Sequence, residues 1–201
     1  ITTETEPTLG GRTIDGDQRN VRVDRVGRTY NTHFHFVDTD ADYRAQLGFQ
    51  NRFFKSDISG IHWRNGLSYY PENSAITSWS PALMSVYQDD KEGVKVYSEL
   101  SPSVTWNFPT SRITVGAQEI TEVLRPQDFT GLARAQGYDY GNLSASYRNS
   151  MLSSLTLDIS YRQGDALNLV PRRGFLPYVA DTNRTDISVL YRPIERLRID
   201  N

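Results

Sequence analysis

Gly93-Val94-Lys95-Val96-Tyr97-Ser98-Glu99-Leu100-Ser101-Pro102-Ser103-Val104-Thr105-Trp106-Asn107-Phe108 is the stretch that decides the fold. Its even positions (Val94, Val96, Ser98, Leu100, Pro102, Val104, Trp106, Phe108) form an apolar row. Its odd positions (Gly93, Lys95, Tyr97, Glu99, Ser101, Ser103, Thr105, Asn107) form a polar one. Side chains that alternate with period two stand on opposite faces of a strand. The pattern lasts about 16 positions, whereas a strand in a globular domain averages about 5–6. Pro102 has no N–H to give to a ladder, so a bulge or a local edge is expected there.

The same period recurs downstream. Across Ser154–Gln163, Leu155, Leu157, Ile159 and Tyr161 oppose Thr156, Asp158, Ser160 and Arg162. Across Arg184–Arg192, Thr185, Ile187, Val189 and Tyr191 oppose Asp186, Ser188 and Arg192, with Leu190 out of phase. Weaker alternation marks Tyr30–Phe36, Ile58–Tyr70, Arg112–Leu124 and Tyr138–Arg148. In the Arg112–Leu124 run, Ile113, Val115 and Ala117 share one face while Ile120 and Leu124 fall on the other, so a bulge or an exit into a loop is expected. Short turns are predicted at Asp38–Asp42, Asp89–Gly93, Arg148–Ser150 and Arg192–Glu195. Longer connections are expected at Pro71–Pro81, Arg125–Gly137 and Val170–Asp181. Thr2–Asn20 reads as a polar loop. No stretch carries a capped helical period. The expectation is one all-β segment over residues 1–201, an antiparallel meander of long strands.

Composition removes several functions. With 22 basic and 24 acidic residues the formal charge is −2, which leaves no footprint for a nucleic acid. There is no Cys, which rules out disulfides, thiol nucleophiles and Cys-ligated zinc. Hydrophobic residues make up 37% and aromatics 11%, so there is ample aromatic surface to bury and disorder is not expected. No window approaches the roughly 18 apolar residues of a membrane helix. The mean hydropathy of −0.56 looks soluble, but a membrane barrel exposes only alternate residues to lipid and scores as polar. Ile1-Thr2-Thr3-Glu4 lacks the basic start and apolar run of a signal peptide. The last residues, Leu197–Asn201, read as a strand cut midway, so the chain is expected to be an internal segment of a longer protein.

Three features favour lipid over a soluble core. Several runs reach the 9–11 residues a tilted strand needs to cross a bilayer. Tyr69, Tyr70, Tyr87, Trp106, Phe108, Tyr138, Tyr147, Tyr161 and Tyr191 fall near strand ends, where amphipathic rings form interfacial girdles. Charges gather on the polar phase, where a wet lumen would accept them. The lumen-facing candidates are Lys95, Glu99, Arg148, Asp158 and Arg162. The lipid-facing candidates are Val94, Val96, Leu100, Val104, Trp106, Leu155, Leu157, Ile159, Ile187 and Val189. The expectation is therefore a non-enzymatic segment of a transmembrane β-barrel, with membrane lipid as its partner. The alternative is a soluble extracellular β-sandwich binding carbohydrate through Trp63, Trp79 and Tyr87.

Leu47-Gly48-Phe49-Gln50-Asn51-Arg52, Tyr70–Pro81 with its Pro71-Glu72-Asn73-Ser74 and Trp79-Ser80-Pro81, and Leu100-Ser101-Pro102-Ser103-Val104 carry a family resemblance. So do Leu124-Arg125-Pro126, Phe129, Val170-Pro171 and Pro177-Tyr178. From about Gly27 onward the chain resembles a bacterial domain of unknown function that forms an outer-membrane β-barrel behind a family-9-like carbohydrate-binding module. Asn51 stands where that family would have Pro. The resemblance implies an outer-membrane location in a Gram-negative cell envelope, a barrel fold, no defined reaction and an association with saccharide.

The remaining constellations give no site. Asp38, Asp40 and Asp42 open a calcium-loop spacing, but Tyr43 and Phe49 stand where its Gly and bidentate Glu belong. His33 and His35 share a strand face and would need a third ligand to hold zinc. Glu119 with Glu122, or Asp89 with Asp90, lack the separation across a cleft that glycoside cleavage needs. No nucleophile elbow or phosphate loop is present. No catalytic residue, metal or cofactor is expected.

Overall fold

The computed structural model describes residues 2–9, 12–42, 57–126, 129, 131–152, 154–170, 175–194 and 197–200. They form strands only, in chain order: β1 (Thr2–Leu9), β2 (Arg12–Arg25), β3 (Tyr30–Thr39), β4 (Ile58–Leu67), β5 (Ser78–Asp90) and β6 (Lys95–Asn107). Then come β7 (Ser111–Leu124), β8 (Gln136–Leu152), β9 (Leu155–Asn168), β10 (Tyr178–Ile194) and β11 (Leu197–Asp200). All belong to one sheet in sequential order, each antiparallel to the next. Among the described residues β1 and β11 do not touch, and the sheet stays open.

Thr2–Asn20, expected to be a loop, instead forms the β1–β2 hairpin, with Thr2 opposite Gln18 and Glu6 opposite Ile14. Its polar, Thr-rich sequence has no apolar face to announce a strand, yet β3 offers β2 a ladder from Thr39↔Gln18 to Thr32↔Arg25. β5 is a further strand that the alternation of the sequence does not mark. Pro81 and a mixed even row (Ser78, Ser80, Ala82, Met84) hide its alternation.

Pro102 causes no bulge. The β6–β7 ladder lapses between Leu100↔Glu119 and Ser103↔Gly116 and resumes in the same register. The bulge lies earlier: Gln88 faces Tyr97 and Asp89 faces Lys95, leaving Val96 as the extra residue. One inserted residue reverses which face the following side chains take. β7 also has no bulge, since it pairs β8 without interruption from Ser111↔Asn149 to Leu124↔Gln136. Arg148–Ser150 is not a turn; β8 continues through it to Leu152. Likewise Arg192–Ile194 belongs to β10, and Glu195 lies outside the described residues. The Asp89–Gly93 turn stands as expected: the Asp90 carboxylate accepts the Glu92 and Val94 N–H at 3.0 and 2.8 Å, and Gly93 takes φ 80°.

Register sorts the side chains into two faces. One carries apolar rows that cross the strands, such as Trp79–Trp106–Ile113–Tyr147–Ile159–Ile187. The other is mostly polar and is the concave side. Arg64 on β4 and Arg162 on β9 are five steps apart in strand order, about 24 Å on a flat sheet. Both nevertheless line one concavity of about 240 Å³.

Gly164 sits where the β8–β9 ladder ends. It has φ 143°, and a Cβ there would lie 2.3 Å from the Gly141 carbonyl oxygen. Gly164→Ala should therefore cost about 2–3 kcal/mol through backbone strain, whereas Gly66→Ala, whose Cβ would meet nothing nearer than 3.8 Å, should stay within about 1 kcal/mol. Urea unfolding of the full-length protein measures both; equal midpoints for the two variants would contradict the strain at Gly164.

The polar face as candidate functional site

Glu99, Arg148, Asp158 and Arg162 share the polar face, as their phase predicts: Arg148 lies opposite Asp158 and Ser144 opposite Arg162. Lys95 does not join them. It precedes the bulge and faces Asp89, in phase with Tyr87 on the apolar face. Leu100, Val104, Trp106, Leu155, Leu157, Ile159, Ile187 and Val189 share the apolar face. Val94 is in the hairpin turn rather than on a strand, and Val96, at the bulge, is 1% exposed. Of the surface aromatics, Trp63 and Tyr87 are near neighbours on the apolar face, and Trp79 lies at the far end of β5, stacked on Tyr69 at 4.5 Å.

The centre of the polar face is small and neutral: Ser101, Ser103, Thr105, Thr114, Gly116, Gln118, Asn142 and Ser144. A hydrogen-bond chain crosses it, from the Asn142 amide to Gln118 Oε1 (3.0 Å) and from the Gln118 amide to Glu99 Oε1 (2.6 Å). Glu99 also accepts from the Ser101 hydroxyl (2.7 Å) and the Tyr97 hydroxyl (2.6 Å). Buried carboxylates need such donors to remain charged.

Charge flanks this centre on both sides. On β8–β10, Arg148 approaches Asp158 at 3.6 Å, and the Arg184 guanidinium grips both Asp186 oxygens at 2.8 and 2.9 Å. On β2–β4, His33 Nδ1 and Asp24 Oδ1 are 2.6 Å apart. His62 joins the predicted His33–His35 pair, with ring centroids 5.0 Å from His33. Among the described residues no three groups converge on a metal-binding geometry. Arg64, Gln118, Asn142 and Arg184 also lie on this face, and alternate spacing from their strand mates is the signal that marks them. Glu119 and Glu122 emerge on opposite faces, as successive odd and even positions of β7 must, and form no carboxylate pair. Among the acidic turn residues, Asp38 and Asp40 are bridged by Lys91 of the β5–β6 turn rather than left as an open loop.

Toward the ends bearing the β7–β8 and β9–β10 connections, the polar face turns apolar. Val86, Tyr97, Ile120, Leu124, Tyr138 and Tyr140 bury against Leu132 of the β7–β8 connection, with Phe129, Leu167 and Val179 packed around them. This explains why Ile120 and Leu124 break phase with Ile113: they lie under an infolded loop. Tyr138, expected in an interfacial girdle, points into this cluster and donates its hydroxyl to the Pro177 carbonyl at 3.0 Å. Glu122, 1% exposed, accepts the Tyr140 hydroxyl at 3.0 Å, and buried Arg125 donates to the Asp57 carbonyl at 3.2 Å. Leu47–Arg52, Tyr43 and Pro171 lie outside the described residues.

Comparison with known proteins finds no matching family model, curated protein or solved structure.

The infolded loop is held by burial rather than by a ladder. Leu132→Ala should cost about 2–3 kcal/mol through the lost contacts and the cavity left behind. Val170→Ala, at a position 88% exposed, should shift stability by less than about 0.5 kcal/mol. Urea titration distinguishes them, and a neutral Leu132→Ala would mean the loop does not pack on the polar face.

Proposed function

We propose that this chain is a non-enzymatic segment of a bacterial outer-membrane β-barrel whose polar face lines a wet interior that holds or passes a solute. The observation that carries the proposal is the exposed apolar face. Leu143 is 67% exposed and Ile187 64%, and they share their face with exposed Val21, Val23, Ile61, Trp63, Leu100, Ile113 and Val115. Apolar surface spread over so many strands is far beyond the patches a soluble monomer tolerates. Lipid covers such a surface without a second protein layer.

Strand length supports the same assignment. β5 to β10 have 13–17 residues each, enough to cross a bilayer at the usual tilt and extend past it. Trp79, Tyr69, Trp106 and Tyr147 cluster toward one end of the apolar face, the place for an interfacial belt. The polar face, with its hydroxyls, amides and paired charges, suits water and polyhydroxylated solutes, a saccharide among them. The resemblance to the outer-membrane domain that follows a carbohydrate-binding module adds to this, since it implies the same location and partner. The infolded β7–β8 connection makes the interior a vestibule narrowed at one end rather than an unobstructed pore.

Full-length protein expressed in a Gram-negative host should fractionate with outer membranes and change mobility on gels after heating. Leu143→Arg, at mid-strand on the apolar face, should cost about 2–4 kcal/mol of folding stability in lipid vesicles. Ser146→Arg, three positions on and on the polar face, should cost under about 1 kcal/mol. Recovery in the soluble periplasm, or a Ser146→Arg penalty exceeding that of Leu143→Arg, overturns the proposal.

A further inference from the structure

The polar face is not electrically uniform. Its described carboxylates are committed: Glu99 accepts from Tyr97, Ser101 and Gln118 and is 5% exposed, Glu122 is buried beneath the loop, and Asp158 and Asp186 are held by Arg148 and Arg184. Asp24 is engaged by Arg22 and His33. Two arginines stand apart from this pattern. Arg64 and Arg162 form no ion pair or hydrogen bond with any described residue, and both line the concavity of about 240 Å³ at mid-sheet.

The floor between them carries the hydrogen-bonding groups Ser101, Ser103, Ser144, Gln118 and Asn142, with Ala82 and Met84 beside Arg64. Gly116 keeps it open, because a Cβ there would lie 3.2 Å from the Pro102 carbonyl oxygen and 3.4 Å from the Ser144 hydroxyl. Asp186, the acidic group diagonal to Arg162, is already gripped by the Arg184 fork and is a poor competitor. Guanidinium groups held in no ion pair or hydrogen bond among the described residues present planar donor pairs matched to oxyanions. Hydroxyls and amides between them match a ligand that is itself hydroxylated.

We infer that the groove between Arg64 and Arg162 binds an anionic, hydroxyl-bearing solute, with the two guanidiniums engaging its acidic groups and the Ser/Asn/Gln floor its hydroxyls. This rests on the polar face being the solute-handling side, and it adds the sign of the solute's charge. Glu99 limits the groove to ligands that place their charge at its two flanks rather than at its centre.

The test uses the full-length protein in detergent micelles and a matched pair of six-carbon probes, the dicarboxylate galactarate and the neutral polyol galactitol, measured by equilibrium dialysis. The wild type should bind galactarate at least tenfold more tightly than galactitol. Arg64→Gln with Arg162→Gln should remove that preference, while Arg28→Gln, in the β2–β3 turn outside the groove, should keep it. Heat-dependent gel mobility checks that each variant is folded. Equal binding of the two probes, no binding of galactarate, or a double variant that retains the preference overturns the inference. A membrane-fractionating, folded protein with any of those results sinks only the anion groove. Recovery as a soluble protein sinks the barrel assignment beneath it.

Discussion

A strand's backbone donors and acceptors can be satisfied only sideways, and in this molecule each strand from β2 to β10 is satisfied by the strands immediately before and after it. Among the described residues no second sheet or helix lies against either face, so outside the cluster under Leu132 the lateral ladder has to do what a hydrophobic core does elsewhere. The consequence is that register, not packing, decides which side chain goes where. The bulge at Val96 shows how little is needed: one extra residue places Lys95 with Tyr87 and Asp89 while Glu99 stays with the opposite row. Pro102, which lacks an N–H, interrupts the ladder toward β7 yet leaves register intact, and the faces on either side of it agree.

Because the two faces are chemically independent, each can change character along the strands without the other following. The polar face does so. At mid-sheet it is serine, asparagine, glutamine and arginine; toward the β7–β8 connection it is Ile120, Leu124, Tyr138 and Tyr140 under Leu132. A small hydrophobic core thus sits on what is otherwise the polar face. It shields Glu99 and Glu122, and such carboxylates are tolerated there because tyrosine, serine and glutamine donors surround them.

The sequence made β6, β9 and β10 legible because both of their faces are chemically pure: Val104 against Thr105, Leu157 against Asp158, Ile187 against Asp186. It failed at β1 and the first part of β2, where Thr2–Asn20 shows no apolar row, and at β5, where Pro81 and small residues blur the contrast. Pairing partners rescue such strands, and partners are not written in the strand itself. The polar-face candidates Glu99, Arg148, Asp158 and Arg162 came from phase alone and share a face in the structure. Lys95 missed because a bulge is a backbone event with no residue signature here. His62 and Arg64 could not be joined to Glu99 and Arg162 without the curvature that brings β4 toward β9. Ile120 and Leu124 looked like an error in phase because a covering loop far along the chain cannot be read from period two.

The charges of the polar face are then better understood by what they leave undone than by what they hold together. Arg184 with Asp186 and Arg148 with Asp158 are largely exposed, and exposed pairs contribute little to stability because water screens them. Their effect is to neutralise the acids. Once the carboxylates are either paired on the flanks or buried under the β7–β8 connection, Arg64 and Arg162 are the cations left over at mid-sheet, and a concave surface concentrates their field. A face assembled from nearly equal numbers of acidic and basic groups can in this way carry a local field of one sign, by where the pairs fall rather than by net charge.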